Sequence, residues 1–144
     1  MSPDVNSPQK TLKCLDGQSA PSELVRRWRR YLELPAEVHA KIWELLTPVL
    51  LEIPQEQKAQ HVSGLASAWS VEAGDLSPAA EGCHGLLLGA TARGMSASDF
   101  DADLQTLGGD ADVPVARAAL IEGFDRASNI LRQQLVAKTV AEHG

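Results

Sequence analysis

Apolar side chains recur three or four positions apart along most of the chain from Leu24 onward, which is the period of an amphipathic α-helix. Proline and glycine interrupt this pattern at short intervals, so most of the helices must be brief and must bury their apolar faces against one another. The chain has only six aromatic residues and few β-branched ones, which argues against a core built from sheets. We therefore predict an all-α fold, a compact bundle of about six helices.

Breaking and capping residues place the helix boundaries. The six predicted helices begin near residues 22, 36, 54, 78, 96 and 113. The best-marked boundary is the run Gly74-Asp75-Leu76-Ser77-Pro78. Its glycine is typical of a helix end, and its serine and proline suit the cap and first turn of the next helix. The third helix should therefore end near Ala73. Pro48 lacks a backbone donor, so the second helix should kink or end near Leu46. Ser96 should cap the fifth helix, and the pair Gly108-Gly109 should stop it.

The last helix is predicted to be the longest. It meets no strong breaker between Val113 and the C-terminus, so at 1.5 Å per residue it would be about 40 Å long. A small bundle cannot cover that length, and the part beyond Leu131 should overhang. An apolar overhang is typical of an interface, so we expect self-association or docking of a protein partner through residues 128–142; alternatively, this end folds against the second helix or frays. The expected contact residues are Ile130, Leu131, Leu135, Val136 and Val140.

Charge and polarity divide the chain unevenly. The net charge is −6, but residues 1–34 carry six basic and four acidic side chains, whereas residues 35–144 carry seven and fifteen. An acidic body repels phosphates, so we do not expect nucleic acid as a partner. Residues 1–20 are polar and lack apolar periodicity, which predicts a flexible leader over 1–20 before a single helical domain over 21–144.

The cellular compartment is predicted from the absence of a membrane span and of a secretory signal. It has no apolar run long enough for a membrane span and no apolar stretch of a secretory signal in its first twenty residues. Its two cysteines lie in dissimilar settings, so a structural disulfide is not expected. We predict a cytoplasmic protein without membrane contact.

The first helix carries a basic cluster around Trp28. Four guanidinium groups beside an indole could clamp phosphates while the ring stacks on a base, which is the alternative function that we consider. However, Leu24, Trp28 and Leu32 share one helical face, which predicts a buried indole and a solvated cationic surface that pairs with the acidic body. The four possible nucleic-acid contacts are Arg26, Arg27, Arg29 and Arg30.

No motif in the chain predicts catalysis, a cofactor or a metal site. Asp99, Asp101, Asp103 and Asp110 have some spacing of a calcium loop, but the glycine required at its sixth position is absent, and we expect these acids to solvate the outer face of a helix. Cys83 follows an apolar stripe and should be buried and inert. We therefore predict a non-catalytic protein.

Glycines at 82, 85 and 89 occupy one predicted helix. Glycine destabilises a helix interior by about 1 kcal/mol relative to alanine, so three of them indicate that another backbone approaches closely. The alternative is a ligand pocket beside Gly82, Gly85 and Gly89, which would make the chain a helical ligand-binding protein.

Several strings in order resemble the N-terminal helical domain of the COMM-domain protein family. They are Leu32-Glu33-Leu34-Pro35, the apolar run 86–93, the start Met95-Ser96-Ala97-Ser98-Asp99-Phe100 and the exit Leu104-Gln105-Thr106-Leu107-Gly108, before a closing helix with Phe124 and Leu131. The resemblance spans about two-thirds of the chain and implies a helical scaffold for protein contacts. Residues 135–144 are too few to hold the family's C-terminal COMM domain, so assembly through that domain is not implied.

Overall fold

A computed structural model describes residues 11–15, 17–51 and 54–143, and the side chains of these residues except at 49, 135 and 137–143. Eight α-helices lie in these ranges and confirm the predicted all-α bundle. They are α1 Ser22–Glu33, α2 Ala36–Ala40, α3 Ile42–Leu50, α4 Gln55–Ala68, α5 Ala73–Ala92, α6 Ala97–Gly108, α7 Pro114–Glu122 and α8 Phe124–His143.

Helix α5 lies at the centre of the bundle, in contact with α1, α3, α4 and α8. The boundary predicted at residues 74–78 is wrong, because α5 begins at Ala73 and contains Pro78. Leu76 is fully buried on the same helical face as Ala80 and Cys83. A helical backbone before the proline therefore places Leu76 in the core, and this burial offsets the hydrogen bond that Pro78 cannot donate.

Helix α4 ends at Ala68, before the predicted end at Ala73. Ser70 has a φ of 58°, in the left-handed region, and the N–H of Val71 donates to the carbonyl of Ala66. This closure satisfies a carbonyl of the last turn and redirects the chain into α5.

The second predicted helix is divided into α2 and α3, which meet at Lys41. Lys41 has φ −112° and ψ 13°, outside α-helical geometry. Of the kink or end predicted near Leu46, the end is wrong, because helix α3 continues through Pro48 to Leu50. Both Leu46 and Leu50 are buried in the core, which stabilises the helix on either side of the proline.

The predicted long C-terminal helix is also wrong, because α7 and α8 meet at Gly123. The indole N–H of Trp43 donates to the carbonyl of Ala119 at 2.9 Å, which is the acceptor that Gly123 would use in a continuous helix. The N–H of Gly123 donates instead to Ile121. A β-carbon at position 123 would lie 2.2 Å from Cε2 of Trp43, so only glycine fits beside this ring.

Both ends of α6 confirm the sequence prediction. The N–H of Asp99 donates to the hydroxyl oxygen of Ser96 at 3.1 Å, which caps the first turn. The helix ends at Gly108, and Gly109 follows with a positive φ of 54°. Helix α6 contacts residues 11–15 near the start of the chain.

Residues 11–15 and 17–20, here called the N-terminal strap, pack on the bundle. The strap contains strands β1 (Thr11–Leu12) and β2 (Gln18–Ser19), which pair antiparallel, and the 3₁₀ turn Lys13–Leu15 between them. Leu12 and Cys14 are buried against the helices. The flexible leader predicted over residues 1–20 is therefore wrong for the strap, and residues 1–10 lie outside the described ranges.

The core is centred on aromatic side chains from three helices. Trp28 and Tyr31 of α1 have ring centroids 4.9 Å apart, and Phe100 of α6 and Phe124 of α8 have centroids 4.8 Å apart. All four are fully buried. His39 lies beside Tyr31, with its Nε2 2.7 Å from the Tyr31 carbonyl oxygen.

Candidate functional site

The residues predicted to contact a partner lie on α8, but one of them is buried. Leu131 is fully buried in the core, because it continues the face that carries Phe124 and Ala127. Ile130 is partly buried, and Val136 is 63% exposed. The side chains of Leu135 and Val140 lie outside the described part. Ile130 and Val136, with exposed Leu51 at the end of α3, define what we call the α8 surface.

A groove of about 240 Å³ lies between α3 and α8, beside the α8 surface. Trp43, Leu50 and Ile130 give it an apolar lining, and Arg126 lies at its edge. The side-chain amide of Gln134 donates to the Leu50 carbonyl, which holds the middle of α8 against the end of α3. Leu51 and Val136 therefore lie at the same end of the molecule.

Two arginines of the basic cluster on α1 pair with acidic side chains. Arg27 pairs with Glu23 at 2.7 Å and with Glu81 at 3.2 Å, and Arg30 pairs with Asp75 at 3.0 Å. Trp28 is fully buried, as predicted, so its ring cannot stack on a base. Arg26 and Arg29 are exposed and form no ion pair with another described residue.

The glycines of α5 confirm close packing at two positions and contradict it at the third. A β-carbon at Gly82 would lie 2.8 Å from Cβ of Arg27 on α1, and one at Gly89 would lie 2.6 Å from the carbonyl oxygen of Cys14 in the N-terminal strap. Gly85 is exposed, and a β-carbon added there would have no neighbouring atom within 4 Å, so the predicted close approach at Gly85 is wrong. It opens onto a groove of about 430 Å³ between α5 and the strap, here called the α5 groove.

Alanine substitutions at Gly85 and Gly89 should have opposite effects on stability. Gly85→Ala should raise the free energy of unfolding by about 0.5–1 kcal/mol, because alanine is the better helix former and the site is open. Gly89→Ala should lower it by about 1–3 kcal/mol, because the strap backbone must move. Chemical denaturation of both variants checks this, and equal effects would contradict the packing found here.

The aspartates of α6 contact different groups within the chain. Asp99 lies 3.7 Å from Nζ of Lys13, and Asp101 accepts a hydrogen bond from Arg117 at 2.7 Å. Arg117 also donates to both carboxylate oxygens of Asp112. These hydrogen bonds, together with the one to Asp101, raise the pKa of Arg117. Asp103 is 6% exposed, so the prediction that it solvates the outer face is wrong.

Both thiols are buried, as predicted for Cys83. Burial raises the pKa of Cys14 to about 12, with the Asp103 carboxylate as a second cause. Burial also raises the pKa of Cys83 well above its ordinary value. Since the thiolate is the nucleophile, both side chains are unreactive in this conformation.

A cleft of about 380 Å³ separates α4 from α5. Its walls carry small residues such as Ala59, Ser63 and Gly74, and Lys58 and His84 lie at its edges. Helix α4 contributes only Val62 and Ala66 to the buried core among its described residues, so it packs loosely over this cleft.

Two structural residues could have been recognised only in part from sequence. Asp103 falls on the apolar stripe Phe100, Leu104 and Leu107, three positions after Phe100, and a carboxylate on such a stripe indicates a buried partner. Gly123 interrupts the C-terminal pattern, but its role depends on Trp43, which no local spacing reveals.

The described residues contain no group of three or more His, Cys, Asp or Glu side chains able to hold a metal ion. Within the same ranges, every helix is too short or too polar to cross a bilayer. No protein-family model matches the chain, and neither the curated proteins nor the solved structures include a significant match to it. The resemblance to the COMM-domain family therefore stays a prediction.

Proposed function

We propose that this chain is a non-catalytic helical interaction module that self-associates through the α8 surface. The observation that carries the proposal is the exposure of apolar side chains at one end of the molecule. Among the described residues, three large hydrophobic side chains are exposed, namely Leu51, Val115 and Val136. Leu51 and Val136 belong to the α8 surface, and Ile130 of that surface also lines the groove beside Trp43.

The length of α8 supports the same proposal. Leu131 is the last fully buried residue described on α8, and the helix continues to His143. At 1.5 Å per residue, positions 132 to 143 add about 18 Å of helix after Leu131. An exposed apolar patch on such an extension is typical of an interface, and a two-fold dimer covers it with the same patch of a second copy.

A non-catalytic role is consistent with the chemistry of the polar side chains. The two thiols are buried, Asp101 accepts a hydrogen bond from Arg117 of α7, and Asp103 accepts one from the N–H of Cys14 in the strap. These groups stabilise the fold in this conformation, which leaves surface contact as the activity that the geometry supports best.

Glutamate at Val136 should abolish self-association, whereas glutamate at Val115 should not. The two valines form a matched pair, because they are 63% and 64% exposed and neither substitution disturbs the core. Sedimentation of the wild type and both variants over about 1–100 μM checks the prediction. We expect dimers for the wild type and Val115→Glu, and monomers for Val136→Glu.

Two results would contradict this proposal. The wild type could remain monomeric at the highest concentration, or Val115→Glu could disrupt association while Val136→Glu does not. Circular dichroism of each variant controls for folding, since surface substitutions of this kind change stability by about 0.5 kcal/mol or less.

A further inference from the structure

The N-terminal strap is attached to the bundle at one buried carboxylate. Asp103 of α6 accepts hydrogen bonds from the N–H groups of Lys13 at 3.0 Å and Cys14 at 2.8 Å. Hydrogen bonds to an ionised acceptor are stronger than those between neutral groups, and a buried N–H without an acceptor is destabilising. Asp103 therefore holds the strap by two hydrogen bonds to one buried carboxylate.

The strap also packs against α5 and α6 through apolar side chains. Leu12 and Cys14 are its fully buried side chains, and its two strands pair with each other over two residues each. Lys13 also approaches Asp99 at 3.7 Å, but both side chains are more than half exposed, so this ion pair adds little. A two-stranded hairpin of this size is not stable by itself in water.

Most of the buried core lies in the helices, although Leu12 and Cys14 of the strap also belong to it. The four large aromatic side chains of that core, Trp28, Tyr31, Phe100 and Phe124, belong to helices and contact one another in pairs. Separation of the strap would expose α5 at Gly89 and the neighbouring part of α6. Opening of the strap exposes only Leu12 and Cys14 among its own buried side chains, so it costs less free energy than unfolding of the whole domain.

We propose that the N-terminal strap opens as a unit while the helical bundle stays folded, and that Asp103 keeps it closed. Opening changes the surface of the protein, because the strap forms one wall of the α5 groove. Cys14, Leu15 and Gln18 lie on that wall, opposite Gly85 and Leu88. The groove therefore exists only in the closed conformation, and the strap acts as a switch of that surface.

The two cysteines distinguish opening of the strap from unfolding of the bundle. Both side chains are 0% exposed, but Cys14 belongs to the strap, whereas Cys83 lies in the middle of α5. Iodoacetamide alkylates only an exposed thiolate, so Cys14 reports strap opening and Cys83 reports loss of the bundle.

The experiment measures alkylation of the full native chain by iodoacetamide, with each cysteine quantified by peptide mass spectrometry. In the wild type, Cys14 should react about ten times faster than Cys83 or more. Asp103→Asn should accelerate Cys14 about tenfold further and leave Cys83 unchanged, because asparagine lacks the charge and the second acceptor oxygen. Asp99→Asn, on the same helix, should leave both rates unchanged.

Equal rates at the two cysteines of the wild type would overturn the proposal, and this comparison holds even if a variant fails to fold. An unchanged Cys14 rate in Asp103→Asn would also overturn it. A parallel rise at both cysteines would show that Asp103 stabilises the whole domain instead of the strap.

Discussion

Replacing Trp28 with alanine should lower the free energy of unfolding by about 3–5 kcal/mol, the range for deletion of a large buried aromatic side chain. Trp28 is fully buried beside Tyr31. Its indole N–H has no hydrogen-bond partner in the described part of the chain, so the loss arises from packing and the cavity. Urea denaturation followed by circular dichroism measures the effect.

Arg26→Glu on the same helix is the control for Trp28→Ala. Arg26 is exposed, so this variant should change the free energy of unfolding by about 0.5 kcal/mol or less. A Trp28→Ala variant as stable as Arg26→Glu would contradict the buried position of the indole. Because both residues lie on α1, the comparison separates the two faces of one helix.

Gly123→Ala should lower the free energy of unfolding by about 1–3 kcal/mol, because it overpacks a well-defined contact. The added β-carbon would lie 2.2 Å from the ring of Trp43. That ring cannot move freely, since its N–H donates to Ala119 at 2.9 Å. Thermal and urea denaturation of the variant check the magnitude.

A double-mutant cycle with Trp43→Ala tests whether the ring is the cause. In the Trp43→Ala background, Gly123→Ala should change stability by about 0.5 kcal/mol or less, because the clash is gone. The same loss in both backgrounds would show that backbone geometry at Gly123, and not contact with Trp43, requires glycine.

The features that could be predicted from the sequence are those set within one or two helical turns. The stripe of Leu24, Trp28 and Leu32 predicted a buried indole, and the hydroxyl of Ser96 predicted a cap that reaches only three residues along the chain. Where local signals competed, they misled. Residues 74–78 contain the glycine, serine and proline typical of a helix boundary, but burial of Leu76 outweighs the hydrogen bond that Pro78 cannot donate.

The candidate sites show the same division. Apolar residues at the end of the last helix were predicted from their spacing, and Val136 is exposed in the structure. The burial of Leu131 could not be distinguished from exposure on an amphipathic helix whose neighbours were unknown. The basic cluster of α1 was visible as four arginines, whereas the ion pairs of Arg27 with Glu81 and Arg30 with Asp75 link residues far apart in the chain.

By itself, the sequence determined that the chain folds as helices and which face of each helix is apolar, because helical periodicity and capping act between residues three or four positions apart. The tertiary structure alone decided the break between α7 and α8 at Gly123 and how the N-terminal strap is bound. Trp43 and Ala119 are 76 positions apart, and Cys14 and Asp103 are 89 positions apart. Such contacts form only when the packed core brings distant segments together, so no local pattern in the chain encodes them.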